Sequence, residues 1–112
     1  MHWGATLPLD RDLERTLWYV LGGARGGHNR ARIILTLNTR PRNLNQLAED
    51  LDVDYRTIMH HMHVLQENSL VVSEGNGYGA VYFLSPRLEA GLGSFREICL
   101  KLHFDTEEAE SG

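Results

Sequence analysis

Cysteine, lysine and long apolar runs are almost absent from these 112 residues, and each absence removes a class of protein. The single cysteine, Cys99, forms no disulfide within the chain and no cysteine-only zinc site, which excludes a disulfide-stapled scaffold and a zinc ribbon. No apolar stretch approaches the roughly 18 residues that cross a bilayer. The first residues, MHWGATLPLDRDLERTL, have no basic segment leading into an apolar one, so a soluble cytoplasmic chain with no membrane partner is expected. A Walker-type phosphate loop is missing, the glycine cluster around Arg25 follows no strand, and no Ser/His/acid or Cys/His arrangement has a recognisable local motif; no enzyme is expected. Positive charge is scarce too, with 11 Lys+Arg against 15 Asp+Glu and a net charge of -4. Taken alone, that balance opposes a nucleic-acid partner, because phosphate neutralisation needs local positive charge.

What is present suits one domain held by an apolar core, expected over 1–104, with 105–112 as a flexible acidic tail holding four acids. Leu9, Leu13, Leu17 and Val20/Leu21 recur at helical spacing and predict an amphipathic helix over 9–21. Gly22, Gly23, Gly26 and Gly27 end it and open a loop; a second helix follows over about 29–38 and stops ahead of Pro41. Asn43-Leu44-Asn45-Gln46 has the form of a capping box and starts a short helix to about Leu51. Asp54 then caps a helix over 55–68, with Ile58, Met62 and Leu65 on its buried side and Val53 buried in the tight turn before it. Past Asn68 the period changes to two β-prone runs, 70–74 and 80–84, around a glycine- and asparagine-rich turn, which predicts a hairpin. Ser85-Pro86 opens a last helix over 86–103, with Leu88, Leu92, Phe95, Cys99 and Leu102 at steps of 4, 3, 4 and 3, a narrow seam of the kind that packs on another helix.

This order is that of a winged helix-turn-helix: mainly α with a small β-hairpin (α+β), flanked by additional N- and C-terminal helices. The residues carry a family likeness as well. Across 30–85, NQLAEDL before the turn, VDYRTIMHHMHVL after it, ENSLV at the helix exit and GNGYGAVYFLS in the hairpin together resemble the ArsR-type superfamily of transcriptional regulators, especially its small archaeal members. The resemblance implies sequence-specific binding of double-stranded DNA by a homodimer, with the 55–68 helix in the major groove. Two such helices would enter successive grooves ~34 Å apart on a palindromic operator. No cofactor is expected.

A recognition helix reads base edges mainly through its first turns, so Tyr55, Arg56, Met59 and His60 are the base-contact candidates, with His63 outward or flanking. Arg56 suits guanine and Met59 a thymine methyl group. Thr57, Asn45 and Gln46 are better placed for phosphate, although Thr57 also suits a plain support of the helix start. Arg40 and Arg42 precede a capped helix N-terminus that favours phosphate; the alternative is an ordinary solvated loop. Arg25 and Arg30 either wrap toward the DNA backbone from a flexible glycine loop or belong to a simple helix connection. In the wing only Asn76 and Tyr78 offer side-chain contacts, where many relatives of this type carry arginines. His61, beside the buried face, reads as a hydrogen-bonded packing residue. The terminal helices are expected to build the dimer through Leu9, Leu13, Leu17, Leu88, Leu92, Phe95, Cys99 and Leu102, the alternative being packing onto the chain's own core.

Two other readings stand beside this one. Winged helices also serve as protein-interaction modules without DNA binding. A metal-responsive repressor would need ligands: His60/His63 and Cys99/His103 have suitable helical spacings, but the Cys-x-Cys pair common in the resembling family is absent, and no metal site is expected. The charge objection weakens once position is considered. With the four tail acids set aside, 11 acids face 11 bases, and within 22–65 six arginines face four acids.

Overall fold

A computed structural model describes residues 10–23 and 25–106, the Tyr78 side chain excepted; Leu9 and most of the expected acidic tail, 107–112, lie outside it. Helix α1, Arg11–Gly22, starts where the Asp10 carboxylate accepts the Leu13 amide at 2.9 Å, a cap worth about 1 kcal/mol. Helix α2, Gly27–Thr39, begins two residues earlier than the apolar spacing predicts. Gly26 takes a left-handed φ of 88°, and a Cβ on Gly27 would stand 1.8 Å from the Leu21 carbonyl oxygen. The glycines therefore make a tight turn between two packed helices, the second of the two readings the sequence allowed.

Helix α2 is the hub. It packs on α1, on α3 (Leu44–Leu51), on α4 (Tyr55–Glu67) and on strand β2 (Val81–Leu84). Neighbours on several sides bury the consecutive residues Ile33, Ile34 and Leu35, a pattern that one apolar stripe does not give. Leu47 of α3 and Ile58, Met62 and Leu65 of α4 complete that side of the core, each burial worth about 1.5–3 kcal/mol.

Strand β1, Val71–Glu74, pairs antiparallel with β2 in the register Val71↔Leu84 to Glu74↔Val81, so the expected hairpin forms. A single 3-10 turn at Gly77–Gly79 occupies its tip. Arg42 adds a bridge on the outer edge of β2: its carbonyl accepts the Tyr82 amide at 2.8 Å and its amide donates to the Tyr82 carbonyl at 3.3 Å. That bridge joins the entry of α3 to the wing.

The expected last helix is two helices, α5 (Pro86–Ala90) and α6 (Leu92–Lys101). They break at Gly91, where a Cβ would lie 2.1 Å from Leu13 Cδ2, because α1 crosses at that point. The seam turns inward: Leu88, Phe95 and Cys99 are fully buried with Leu13 and Leu17 in the chain's own core, while Leu92 and Leu102 are half-buried against it. Leu13, Leu17, Leu88, Phe95 and Cys99 are therefore not available to a second subunit, because the single chain already covers them. Among the described residues, no helix is long and apolar enough to cross a membrane.

Candidate nucleic-acid interface

The helix-turn-helix is built from local signals. Asn43 Oδ1 accepts the Gln46 amide at 2.8 Å and Gln46 Oε1 accepts the Asn43 amide at 2.9 Å, a complete capping box at the start of α3. Asp52 ends α3 in a left-handed conformation (φ 55°), Val53 packs half-buried against the core, and Asp54 Oδ2 accepts the Thr57 amide at 3.2 Å to start α4.

Burial then sorts the faces of α4. Ile58, His61, Met62 and Leu65 point inward; Arg56, Met59, His60 and His63 are exposed; Tyr55 and Thr57 are half-buried. Met59 is 47% exposed, high for an apolar side chain. It lines, with His63, Met62, Gln66, Leu44 and Tyr82, a shallow depression of about 190 Å³. This depression sets the outer face of α4 beside the entry of α3 and the edge of the wing. Asn45 and Gln46 are exposed on α3, and Arg40 is exposed just upstream. The Gln46 oxygen is held in its capping box, which leaves its amide nitrogen for an outside acceptor. His63 Nε2 stands 3.4 Å from Glu67 Oε2 one turn further on. Gln66 Nε2 donates to Ser73 Oγ at 3.4 Å, tying α4 to the wing. Asn76 is exposed at the wing tip, while the Tyr78 side chain lies outside the description.

Two of the arginines assigned to DNA are occupied inside the protein. Arg30 is 3% exposed: its Nε donates to Val20 O (2.8 Å), its Nη2 to Arg25 O (3.2 Å) and its Nη1 to His61 Nδ1 (3.1 Å). Arg42 is 8% exposed and donates to Asp50 Oδ2 (2.5 Å), Thr39 Oγ1 (3.1 Å), Arg40 O (3.0 Å) and Thr36 O. Both guanidiniums are buried and directed at acceptors inside the fold, out of reach of a phosphate at the surface, so both assignments give way to structural roles. One signal was available for Arg30: with Ile33/Ile34 and Leu37 it falls on the apolar face of α2. Nothing in the sequence marks the partners of Arg42 or the contribution of Tyr82. Arg25 is exposed, but its turn stands against His61 on the inner side of α4.

Electrostatics follow from these positions. His61 is held neutral, its pKa lowered to about 4 by burial first and then by Arg30 and His60. Its Nδ1 accepts from Arg30, so the ring proton sits on Nε2. Burial likewise lowers Arg30, against a smaller raising effect of Tyr19, and raises Tyr82, with Tyr55 adding to the shift. Between 22 and 65 the exposed arginines are Arg25, Arg40 and Arg56, set against exposed Glu49, Asp50, Asp52 and Asp54. The basic excess of that segment is therefore spent inside the fold. Among the described residues no three His, Cys, Asp or Glu side chains gather to hold a metal, and burial pushes the Cys99 thiol up to about 11, with Arg96 pulling slightly the other way.

No family model and no curated protein matches the sequence. Solved structures do match the fold. The M. tuberculosis protein Rv0081 superposes with a TM-score of 0.61 at 18% identity, over 86% of this chain and 94% of that one. An ArsR family transcriptional regulator gives 0.54 at 14%, over 81% and 94%. A "possible transcriptional regulator for arsenical resistance" gives 0.51 at 21%, over 80% and 85%. At such identities the likeness is one of fold: the chain has the winged helix-turn-helix architecture found in ArsR-family regulators.

Proposed function

We propose that this chain is a transcriptional regulator, not an enzyme, that binds double-stranded DNA as a homodimer with α4 in the major groove. The observation that carries the reading is the sorting of α4. A capped helix is anchored by Ile58, His61, Met62 and Leu65, and presents Arg56, Met59, His60 and His63 outward beside Asn45 and Gln46 of α3. In this reading Arg56 contacts guanine, Met59 a thymine methyl, and His60 and His63 flank them; Tyr55 and Thr57 line the near edge. Arg40, Asn45, Gln46 and the wing residues Asn76 and Tyr78 serve the backbone, and Arg25 is at most a peripheral phosphate contact. The dimer then rests on outward residues of the terminal helices. Trp18 and Tyr19 on α1 and Leu100 on α6 are exposed at 40%, 63% and 69%, and half-buried Leu102 adjoins Trp18 across Gly22. A palindromic site with half-sites ~34 Å apart follows from that symmetry.

The test is selection of bound fragments from genomic DNA, followed by titration of the recovered duplex. Arg56→Ala should cost about 1–3 kcal/mol on that duplex and much less on a scrambled one. Absence of any salt-sensitive binding would refute the DNA reading. One feature favours the other reading, a protein partner: four of the six side chains lining the depression, Leu44, Met59, Met62 and Tyr82, are apolar or aromatic and suit an apolar side chain of a partner better than a phosphate backbone.

A further inference from the structure

The Arg30–His61 pair is buried away from the outer face of α4, yet together with the glycine turn it connects α1 to α4. Helix α1 packs mainly on α2 and α6. Its last turn is nevertheless tied to α4 through Arg30, which holds Val20 O of α1, Arg25 O of the glycine turn and His61 Nδ1 of α4 at 2.8, 3.2 and 3.1 Å. A second arginine ties the opposite end. Arg87 Nη2 donates to Asp12 Oδ2 (2.6 Å) and Thr16 Oγ1 (3.3 Å) on α1, and its Nη1 to Asn68 O (3.1 Å) at the exit of α4. Gly26 is part of the arrangement, since a Cβ there would stand 2.6 Å from His61 Cε1; the missing side chain is the seat of the imidazole.

We infer that Arg30, acting through His61, is the positioning residue of the recognition helix: it fixes α4 against the last turn of α1, so that any displacement of α1 is passed to the outer face of α4. The inference rests on the DNA-binding reading and names how that face is regulated, by whatever moves α1. A planar guanidinium suits the task because its donors diverge toward three separate elements, which a lysine ammonium at one point does not reach together. The imidazole suits it because a neutral ring accepts at Nδ1 while filling the space over Gly26.

Three variants test this: Arg30→Lys, His61→Phe, which fills the seat without an acceptor, and His61→Asn, whose amide oxygen stands near the Nδ1 position. Each is measured by amide exchange on peptides covering 16–27 and 55–67, and by the ratio of selected to scrambled duplex affinity at one salt concentration. His61→Phe and Arg30→Lys should speed exchange in both peptides together by about tenfold and lower the affinity ratio by a similar factor, with the salt slope unchanged. His61→Asn should keep both within about threefold of the parent, being the variant that retains the hydrogen bond. Equal behaviour of the Phe and Asn variants, or exchange that changes in α4 alone, would overturn the inference. If the parent chain fails to discriminate between duplexes, the DNA reading falls while exchange still decides the coupling. If His61→Phe does not fold, the comparison of Arg30→Lys with His61→Asn decides it by the same readouts.

Discussion

Replacing Arg42 and Arg40 by alanine, one at a time, separates a structural arginine from a surface one two residues away. Arg42 is 8% exposed and its guanidinium serves Asp50, Thr39 Oγ1 and the carbonyls of Thr36 and Arg40. A hydrogen bond to a charged group contributes about 1.5–3 kcal/mol where the acceptor is left dry. Most of that is recovered here when the donor is removed: the Asp50 side chain is 38% exposed and rehydrates, and the Thr36 carbonyl keeps the Thr39 hydroxyl at 2.8 Å. The net cost of Arg42→Ala is then about 2–3 kcal/mol, or about 10–20 °C in Tm for a domain of this size. Exposed Arg40 should change stability by no more than about 0.5 kcal/mol. Duplex titrations across a salt series should show the reverse order. Arg40→Ala lowers the slope of log K against log salt by about 0.9 for each phosphate it neutralises, and Arg42→Ala leaves the slope as it was. The reasoning is refuted if Arg42→Ala melts with the parent and flattens the slope.

Four further outcomes are expected. Gly27→Ala should cost more than about 3 kcal/mol or prevent folding, because its Cβ meets the Leu21 backbone at 1.8 Å; Gly93→Ala, in α6 with nothing within 4 Å, should gain about 0.5–1 kcal/mol, both read by thermal melts. Urea titrations between pH 7.5 and 4 should show a loss of stability traceable to His61. Above 6.5 neither state holds its proton; between 6.5 and about 4 only the unfolded chain takes it up, costing up to about 3 kcal/mol; below 4 both carry it. Parallel curves for the parent and His61→Asn would exclude that origin. Cys99, fully buried with its thiol raised to about 11, should resist alkylation at pH 8 until the chain unfolds; prompt labelling of the native protein counts against the core placement. Tyr19→Glu should shift sedimentation from dimer to monomer with little change in Tm, and an unchanged dimer would move the interface off α1.

How much of this was legible depended on whether the cause lay near in sequence. Asn43 with Gln46, Asp54 and Ser85-Pro86 mark helix starts by chemistry within four residues, and those starts fall where the sequence puts them. The break at Gly91 has its cause in Leu13, 78 positions earlier, and no local pattern shows that α1 crosses there. The inward turn of the Leu88–Cys99 seam has the same origin, because periodicity identifies an apolar face without saying which surface covers it. Among site residues, the outward set on α4 follows from helical period alone, whereas Arg30 and Arg42 were misread because charge was taken as a sign of exposure.

The arginines have a common explanation in the helix ends. Helices α1, α2, α3 and α4 carry no basic residue in their own last turns. Each end is served by an arginine from elsewhere or, for α2, from three residues past its last residue. Arg30 donates to Val20 O on α1, Arg42 to Thr36 O on α2, Arg32 to Leu51 O on α3 at 3.0 Å, and Arg87 to Asn68 O just past α4. A guanidinium there satisfies carbonyls the helix cannot pair and lies at the negative end of its dipole. Ten of the eleven basic residues are arginine, and four of the ten do this. Within 22–65 that leaves Arg25, Arg40 and Arg56 exposed; with Arg56 on guanine, a dimer neutralises at most about four phosphates through this segment, and its salt slope should be no steeper than about −4. A slope well beyond that would require basic groups on the interface that this arrangement of arginines does not supply.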